Sequence, residues 1–138
     1  MKIAIINGPN LNLLGKRQPE IYGGQSFEDY LEQLKISFSH LEINYFQSNV
    51  EGDLVNALHQ AGEDADGIIF NPAAFTHTSV ALGDAVKGLD CPIIEVHISN
   101  IFQREEFRHF SYVSSGAQAV ISGMGLLGYE MALRYFDR

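Results

Sequence analysis

The sequence predicts an α/β fold, a parallel sheet with helices on both faces, and three observations carry that expectation. Five strand-length apolar runs rich in isoleucine and valine recur along the chain. Between them lie stretches whose apolar residues fall at helical spacing. The two patterns alternate, and alternating βα units favour parallel strands covered by helices on each side. At 138 residues in one domain, with no repeat, linker or low-complexity tract, a flavodoxin-like doubly wound five-stranded sheet is the leading choice.

The first strand is KIAIIN at 2–7, and the segment after it, NGPNLNLLGKRQPEIYGG at 7–24, is far longer than the two to six residues usual for such a connection. Its length suits a lid or binding loop, and it holds the adjacent cations Lys16 and Arg17 and the aromatic Tyr22. Ser26 with Asp29 three residues on reads as a capping box opening a helix at 26–40. EINYFQ at 42–47 is the second strand, and Ser48 with Glu51 reads as a second capping box for a helix at 49–62. GIIFN at 67–71 is the third strand. The turn NPAAFTHTS at 71–79 follows, with Asn71 and His77 flanking small residues and Thr78 or Ser79 capping a helix at 79–89. In the fourth strand, PIIEVH at 92–97, Glu95 and His97 share one face because strand side chains alternate. A carboxylate beside an imidazole can fix its tautomer and raise its pKa. QAVISG at 118–123 is the fifth strand, and Leu126, Tyr129, Leu133 and Phe136 mark a helix at 125–136. Taken singly, Asn71 reads equally as a turn residue before proline, His77 as a surface group and Glu95–His97 as a pair buried for packing.

Composition narrows the function. The net charge of -8 disfavours nucleic acid and anionic membranes as partners, since both draw on clustered Lys and Arg. Three of the five arginines, Arg17, Arg104 and Arg108, nevertheless fall in two short loop segments, which suggests a local site for a small anion. The one cysteine, Cys91, cannot form an internal disulfide, and the five histidines lack metal-ligand spacing, so no metal is expected. No apolar run reaches membrane-spanning length and MKIAIINGPN is too short to be a secretory signal, so the expected location is cytoplasmic. GMGLLG at 123–128 fits G-x-G-x-x-G after a strand. It sits in the last unit rather than the first, and the sequence offers no acidic ribose ligand about 20 residues on, so close helix–sheet packing explains the glycines as well.

Ligands of such folds sit beyond the carboxyl ends of the strands, and the segments found there are the informative ones. Taken together, NGPNLNLLGKRQPEIYGG, NPAAFTHTSVALGDA, EVHISN and REEFRHFSY resemble the type II 3-dehydroquinate dehydratases over nearly the whole chain. The resemblance implies a flavodoxin-like fold, a homododecamer built of four trimers, and conversion of 3-dehydroquinate to 3-dehydroshikimate and water in the shikimate pathway without a cofactor. By position it makes Tyr22 the base beside the ketone, Arg17 the cation that keeps Tyr22 ionised, and His97 the acid, supported by Glu95. It has Asn10 orient a water that steadies the enolate. The Ile98 and Ser99 backbone amides and Asn71 take the substrate carboxylate, His77 and Arg108 contact ring hydroxyls, Arg104 belongs to a mobile lid, and Asp84 reaches a neighbouring subunit's site.

Four positions depart from the family pattern. Ala73 and Ala119 stand where glycine is frequent or common, Phe75 where tyrosine is frequent, and Gly83 where arginine is common. They bear on the turn after the third strand and on trimer contacts near Asp84. Two weaker readings compete: imine chemistry at Lys16, the one lysine in a strand-end loop, and a non-enzymatic flavin or nucleotide module that would use GMGLLG.

Overall fold

In a computed structural model describing residues 1–16, 20 and 24–138, five strands form one sheet in the order β2-β1-β3-β4-β5. They are β1 (Lys2–Asn7), β2 (Glu42–Gln47), β3 (Gly67–Asn71), β4 (Ile93–His97) and β5 (Ala119–Ser122), and every pairing is parallel. The helices between them are α1 (Phe27–Ser37), α2 (Glu51–Asp64), α3 (Val80–Lys87) and α4 (Leu127–Phe136). Sheet order and parallel pairing are those expected of a flavodoxin-like chain.

Alternation along the central strands divides the core into two layers. Ile3 and Ile5 of β1 face Phe27, Leu31 and Leu34 of α1, and Tyr129 and Leu133 of α4. Ala4 and Ile6 face Leu54 and Leu58 of α2, and Leu82 and Val86 of α3. Burying both faces is why β1, β3 and β4 read as continuous apolar runs, whereas the edge strands β2 and β5 show partly exposed residues. Asn7 pairs with Asn71, so β1 and β3 end level with each other. Chain connections leave this pair in opposite directions, which opens a crevice at their carboxyl ends.

Two helix starts separate what a cap motif can and cannot specify. Ser26 accepts the Asp29 N–H at 3.1 Å, as expected. Ser48 does not cap α2: its hydroxyl accepts the Val50 N–H at 3.0 Å and donates to Asp53, while Val50 itself precedes the helix with no side-chain cap. The expectation of a second capping box is therefore corrected, and α2 runs later than predicted. Ser79, rather than Thr78, caps α3 by accepting the Leu82 N–H at 2.9 Å. Helix α1 stops at Ser37 rather than 40, because Phe38 leaves helical geometry and buries its ring against the core.

Two of the family departures take on physical meaning. Ala73 has φ of 53°, in the left-handed region where an L side chain is strained and glycine is at ease. At Gly83 a Cβ would lie 2.5 Å from the Tyr112 carbonyl oxygen, so the chain at 112 approaches α3 more closely than any larger residue would permit. Phe75 and Ala119 pack against the core as apolar residues.

Candidate active site

At the carboxyl ends of β1, β3 and β4 lies a cleft of about 220 Å³. His97 closes β4 and is 5 % exposed, and Glu95, two residues earlier on the same face, is fully buried beneath it. The Nε2 atom of His97 lies 2.5 Å from Glu95 Oε2. Three hydroxyls complete the carboxylate's surroundings: Thr76 donates to Oε2 at 3.0 Å, Ser114 to Oε1 at 2.7 Å, and Ser111 to both oxygens at 3.1 Å. Burial alone pushes Glu95 upward. The hydrogen bond and charge of His97, with the bonds from Ser114 and Thr76, outweigh it and hold the carboxyl below its ordinary range. An ionised carboxylate can only accept, so His97 Nε2 carries a hydrogen and Nδ1 is the nitrogen left to exchange a proton with the cleft.

His77 comes from the turn after β3 and stacks near His97, ring centroids 6.3 Å apart. Its Nδ1 lies 2.7 Å from the Phe110 carbonyl, which also can only accept, so Nδ1 bears the hydrogen and Nε2 presents a lone pair. Burial lowers the pKa of His77, the Phe110 bond partly offsets this, and the charges of His97 and Arg108 lower it further. The downward shift favours the uncharged ring.

Asn71 ends β3 at 2 % exposure, and both ends of its amide are engaged. Its Oδ1 accepts the Ala73 N–H at 3.0 Å and its Nδ2 donates to the Tyr129 hydroxyl at 2.8 Å. That hydroxyl donates in turn to Asn7 Oδ1 at 2.8 Å, and Asn7 Nδ2 reaches the Tyr45 hydroxyl at 3.4 Å. The bond from Ala73 decides which end of the amide is nitrogen, and Asn71, which lines the cleft, keeps one N–H for a ligand.

Two cations also line the cleft. Arg104 donates to the Ser99 hydroxyl at 3.3 Å, while Arg108 pairs with Glu105 at 2.7 Å and lies 5.0 Å over the Phe107 ring. Asn10, Ile98 and Ser99 also line the cleft, and Asn10 adopts a left-handed conformation with its N–H donated to Asn49. The fold thus brings Asn10, Asn71, His77, His97, Ile98, Ser99, Arg104 and Arg108 to one cavity, with Glu95 directly behind His97. Asp84 is exposed on α3 and does not line this cleft. Tyr22 and Arg17 lie outside the described residues.

Sequence reasoning overlooked Thr76, Ser111 and Ser114 around Glu95, and Asn7 and Tyr129 behind Asn71. The hydroxyl-rich SYVSS at 111–115 was the available signal, but its partner is a carboxylate 16 or more positions earlier. Among the described residues no group of three or more His, Cys, Asp or Glu side chains is placed to hold a metal ion, and no helix is long and apolar enough to cross a membrane.

Known proteins resemble this chain over nearly its whole length. The family described as dehydroquinase class II matches residues 1–137. The chain is 50% identical over 136 residues to a 3-dehydroquinate dehydratase of Psychromonas ingrahamii, spanning 97% of this chain and 91% of that protein. It is 51% identical over 138 residues to a catabolic 3-dehydroquinase of Phaeosphaeria nodorum, spanning 99% and 91%. The crystal structure of a type II dehydroquinase from Propionibacterium acnes superposes with a TM-score of 0.93 at 42% identity, spanning 98% of this chain and 94% of that one. With nearly the whole chain matched in sequence and fold, it belongs to the class II dehydroquinase family, the type II 3-dehydroquinate dehydratases, which are hydro-lyases.

Proposed function

We propose that this chain eliminates water from 3-dehydroquinate to give 3-dehydroshikimate through an enolate, with Tyr22 as base, His97 as acid and no bound cofactor. The observation that carries the reading is the His97–Glu95 pair, with His97 lining the same cleft as Arg104 and Arg108. A buried carboxylate held ionised beside an imidazole compensates the positive charge of an imidazolium, which is the form that can protonate a leaving hydroxide. Positioned acid or base catalysis contributes roughly 10² to 10⁴ in rate each, so the two groups together account for a large part of the barrier.

Removing the proton beside the ketone calls for a phenolate. A free tyrosine titrates near pH 10, so only about one molecule in a thousand is ionised at neutral pH, and a neighbouring guanidinium lowers that value by about one to three units. Arg17 supplies this charge in our reading, because arginine stays protonated and cannot return the proton to the phenolate. The described tyrosines support assigning the base to Tyr22. Burial pushes Tyr30 and Tyr45 up to about 12 and Tyr129 higher still, and no described tyrosine lines the cleft.

As the proton leaves carbon, negative charge builds on the ketone oxygen, where a water oriented by Asn10 steadies it. Protonated His97 then delivers a proton through Nδ1 to the departing hydroxyl, forming water and the conjugated enone. The substrate carboxylate is assigned to the Ile98 and Ser99 N–H groups and the remaining N–H of Asn71, and the ring hydroxyls to His77 and Arg108. Arg104 belongs to a closing lid. The exposed place of Asp84 on α3, away from its own cleft, supports its contribution to a neighbouring site in a trimer, with four trimers forming the dodecamer; light scattering should return twelve times the mass of the chain. The shikimate-route assignment rests on the resemblance and is tested by growth without aromatic amino acids in cells lacking their own dehydratase.

The direct experiment mixes purified protein with 3-dehydroquinate and follows ultraviolet absorbance of the conjugated enone, with and without a chelator. Turnover insensitive to chelator is expected, and no enone would overturn the assignment. Tyr22→Phe is expected to keep the fold and lose most turnover; near-normal kcat in this variant removes Tyr22 from the base role.

A further inference from the structure

We propose that the turn Ser122–Gly125, sequence SGMG, is the positioning element that aims the Ile98 and Ser99 backbone amides at a carboxylate ligand. This rests on the dehydratase reading and goes beyond it, assigning a role to the glycine motif that dinucleotide binding leaves unexplained. The turn closes β5 and grips the end of β4 at consecutive residues. Gly123 N–H donates to the His97 carbonyl at 3.2 Å, and Gly125 N–H donates to the Ile98 carbonyl at 3.0 Å. The Ser122 hydroxyl donates to the Ser99 carbonyl at 3.2 Å and accepts the Ile101 N–H at 3.3 Å.

The consequence follows from peptide geometry. In a planar trans peptide, the carbonyl of one residue and the N–H of the next point in opposite directions. Holding the His97 and Ile98 carbonyls toward one turn therefore directs the Ile98 and Ser99 N–H groups to the other side of the segment, and both residues line the cleft. A regular strand would alternate these directions, whereas successive N–H groups aimed together form an anion-binding concavity. Ser99 N–H has no protein acceptor among the described residues.

Glycine is required in the turn itself. Gly123 has φ of +91° and Gly125 of +60°, and a Cβ on Gly123 would lie 2.9 Å from Asn100 Cβ. The third glycine of the motif, Gly128, lets α4 settle on the sheet, since its Cβ would meet Ile121 and Val96 at 3.3 Å. The spacing thus serves two ends, an oriented pair of donors and a close helix.

Steady-state kinetics with 3-dehydroquinate on Ser122→Ala and Ser122→Thr tests the proposal. Ser122→Ala should raise KM about fivefold or more, as for loss of roughly one hydrogen bond's worth of positioning, with kcat within about twofold of the parent. Ser122→Thr, which keeps the hydroxyl, should return KM to within about twofold. A purely structural role would instead shrink the active fraction, lowering kcat at constant KM. If Ser122→Ala does not fold, Gly125→Ala serves, because its Cβ meets no atom within 4 Å and only its φ of +60° is loaded; the same rise in KM is expected. Parent enzyme that turns over alongside a variant with unchanged KM overturns the proposal. A parent without turnover overturns the dehydratase reading itself.

Discussion

Two buried polar clusters lie under the same cleft and are built on opposite principles. Around Glu95 every contact serves a charge: Thr76, Ser111, Ser114 and His97 converge on one carboxylate that is fully buried. Around Tyr129 every contact is neutral, an amide–phenol–amide chain from Asn71 to Asn7. Burying an ion is costly unless it is fully hydrogen-bonded, so the first cluster exists for what its charge does to the neighbouring imidazole. The second holds an amide in one orientation, and its energetic content is chiefly the penalty of leaving its groups unpaired. One cluster holds a charge beside an imidazole and the other holds an amide in one geometry.

That contrast can be broken, beginning with the charge. Glu95→Gln preserves shape but removes the negative charge beside His97, and kcat should fall by about 10² or more, as for loss of an effective general acid. A near-normal kcat would show that the cluster's charge is unused. Tyr129→Phe leaves Asn71 Nδ2 and Asn7 Oδ1 without partners and should cost about 1–3 kcal/mol in urea denaturation, with kcat reduced less than tenfold. A kcat loss as deep as that of Glu95→Gln would erase the distinction between the clusters.

The pH dependence of stability sharpens it further. Glu95 titrates below its ordinary value of 4.5 in the folded chain, so folding favours its ionised form. Its contribution is present above that ordinary value and is lost as pH falls through the lowered one. The parent should therefore lose more stability than Glu95→Gln on acidification below 4.5, measured by denaturant titration at each pH, while Tyr129→Phe should follow the parent's slope. The smallest expected effect is at the rim of the neutral cluster. Ala73→Gly relieves the left-handed backbone that carries the N–H bonded to Asn71 and should stabilise by about 0.5–1 kcal/mol, seen as a rise in thermal midpoint of a few degrees. A fall would mean that the alanine methyl contributes more than its strain costs.

Much of this was legible along the chain. All five strands lie within one residue of their expected bounds, because doubly buried strands carry a dense apolar signal. The shared face of Glu95 and His97 follows from strand alternation alone. Caps were read less evenly. Ser26 and Ser79 accept the expected N–H groups, whereas Ser48 turns to Val50 and Asp53, since a short hydroxyl has several local acceptors and donors within reach and motif spacing does not rank them. Asn71 read as well as a turn residue, and it is one: its Oδ1 binds Ala73 two residues on, while its other end belongs to Tyr129, 58 positions away.

Periodicity and alternation act over a few residues and appear in any short window, and they specify the parallel βα architecture, the strand-end placement of the candidate residues and the shared face of Glu95 and His97. Which hydroxyls surround Glu95, which phenol orients Asn71, and that a glycine turn grips the backbone at 97–99 follow instead from tertiary packing. Those contacts join segments brought together by sheet order, and a polar side chain's partner is set by what the fold places within about 3 Å of it, a distance that no pattern along the chain encodes.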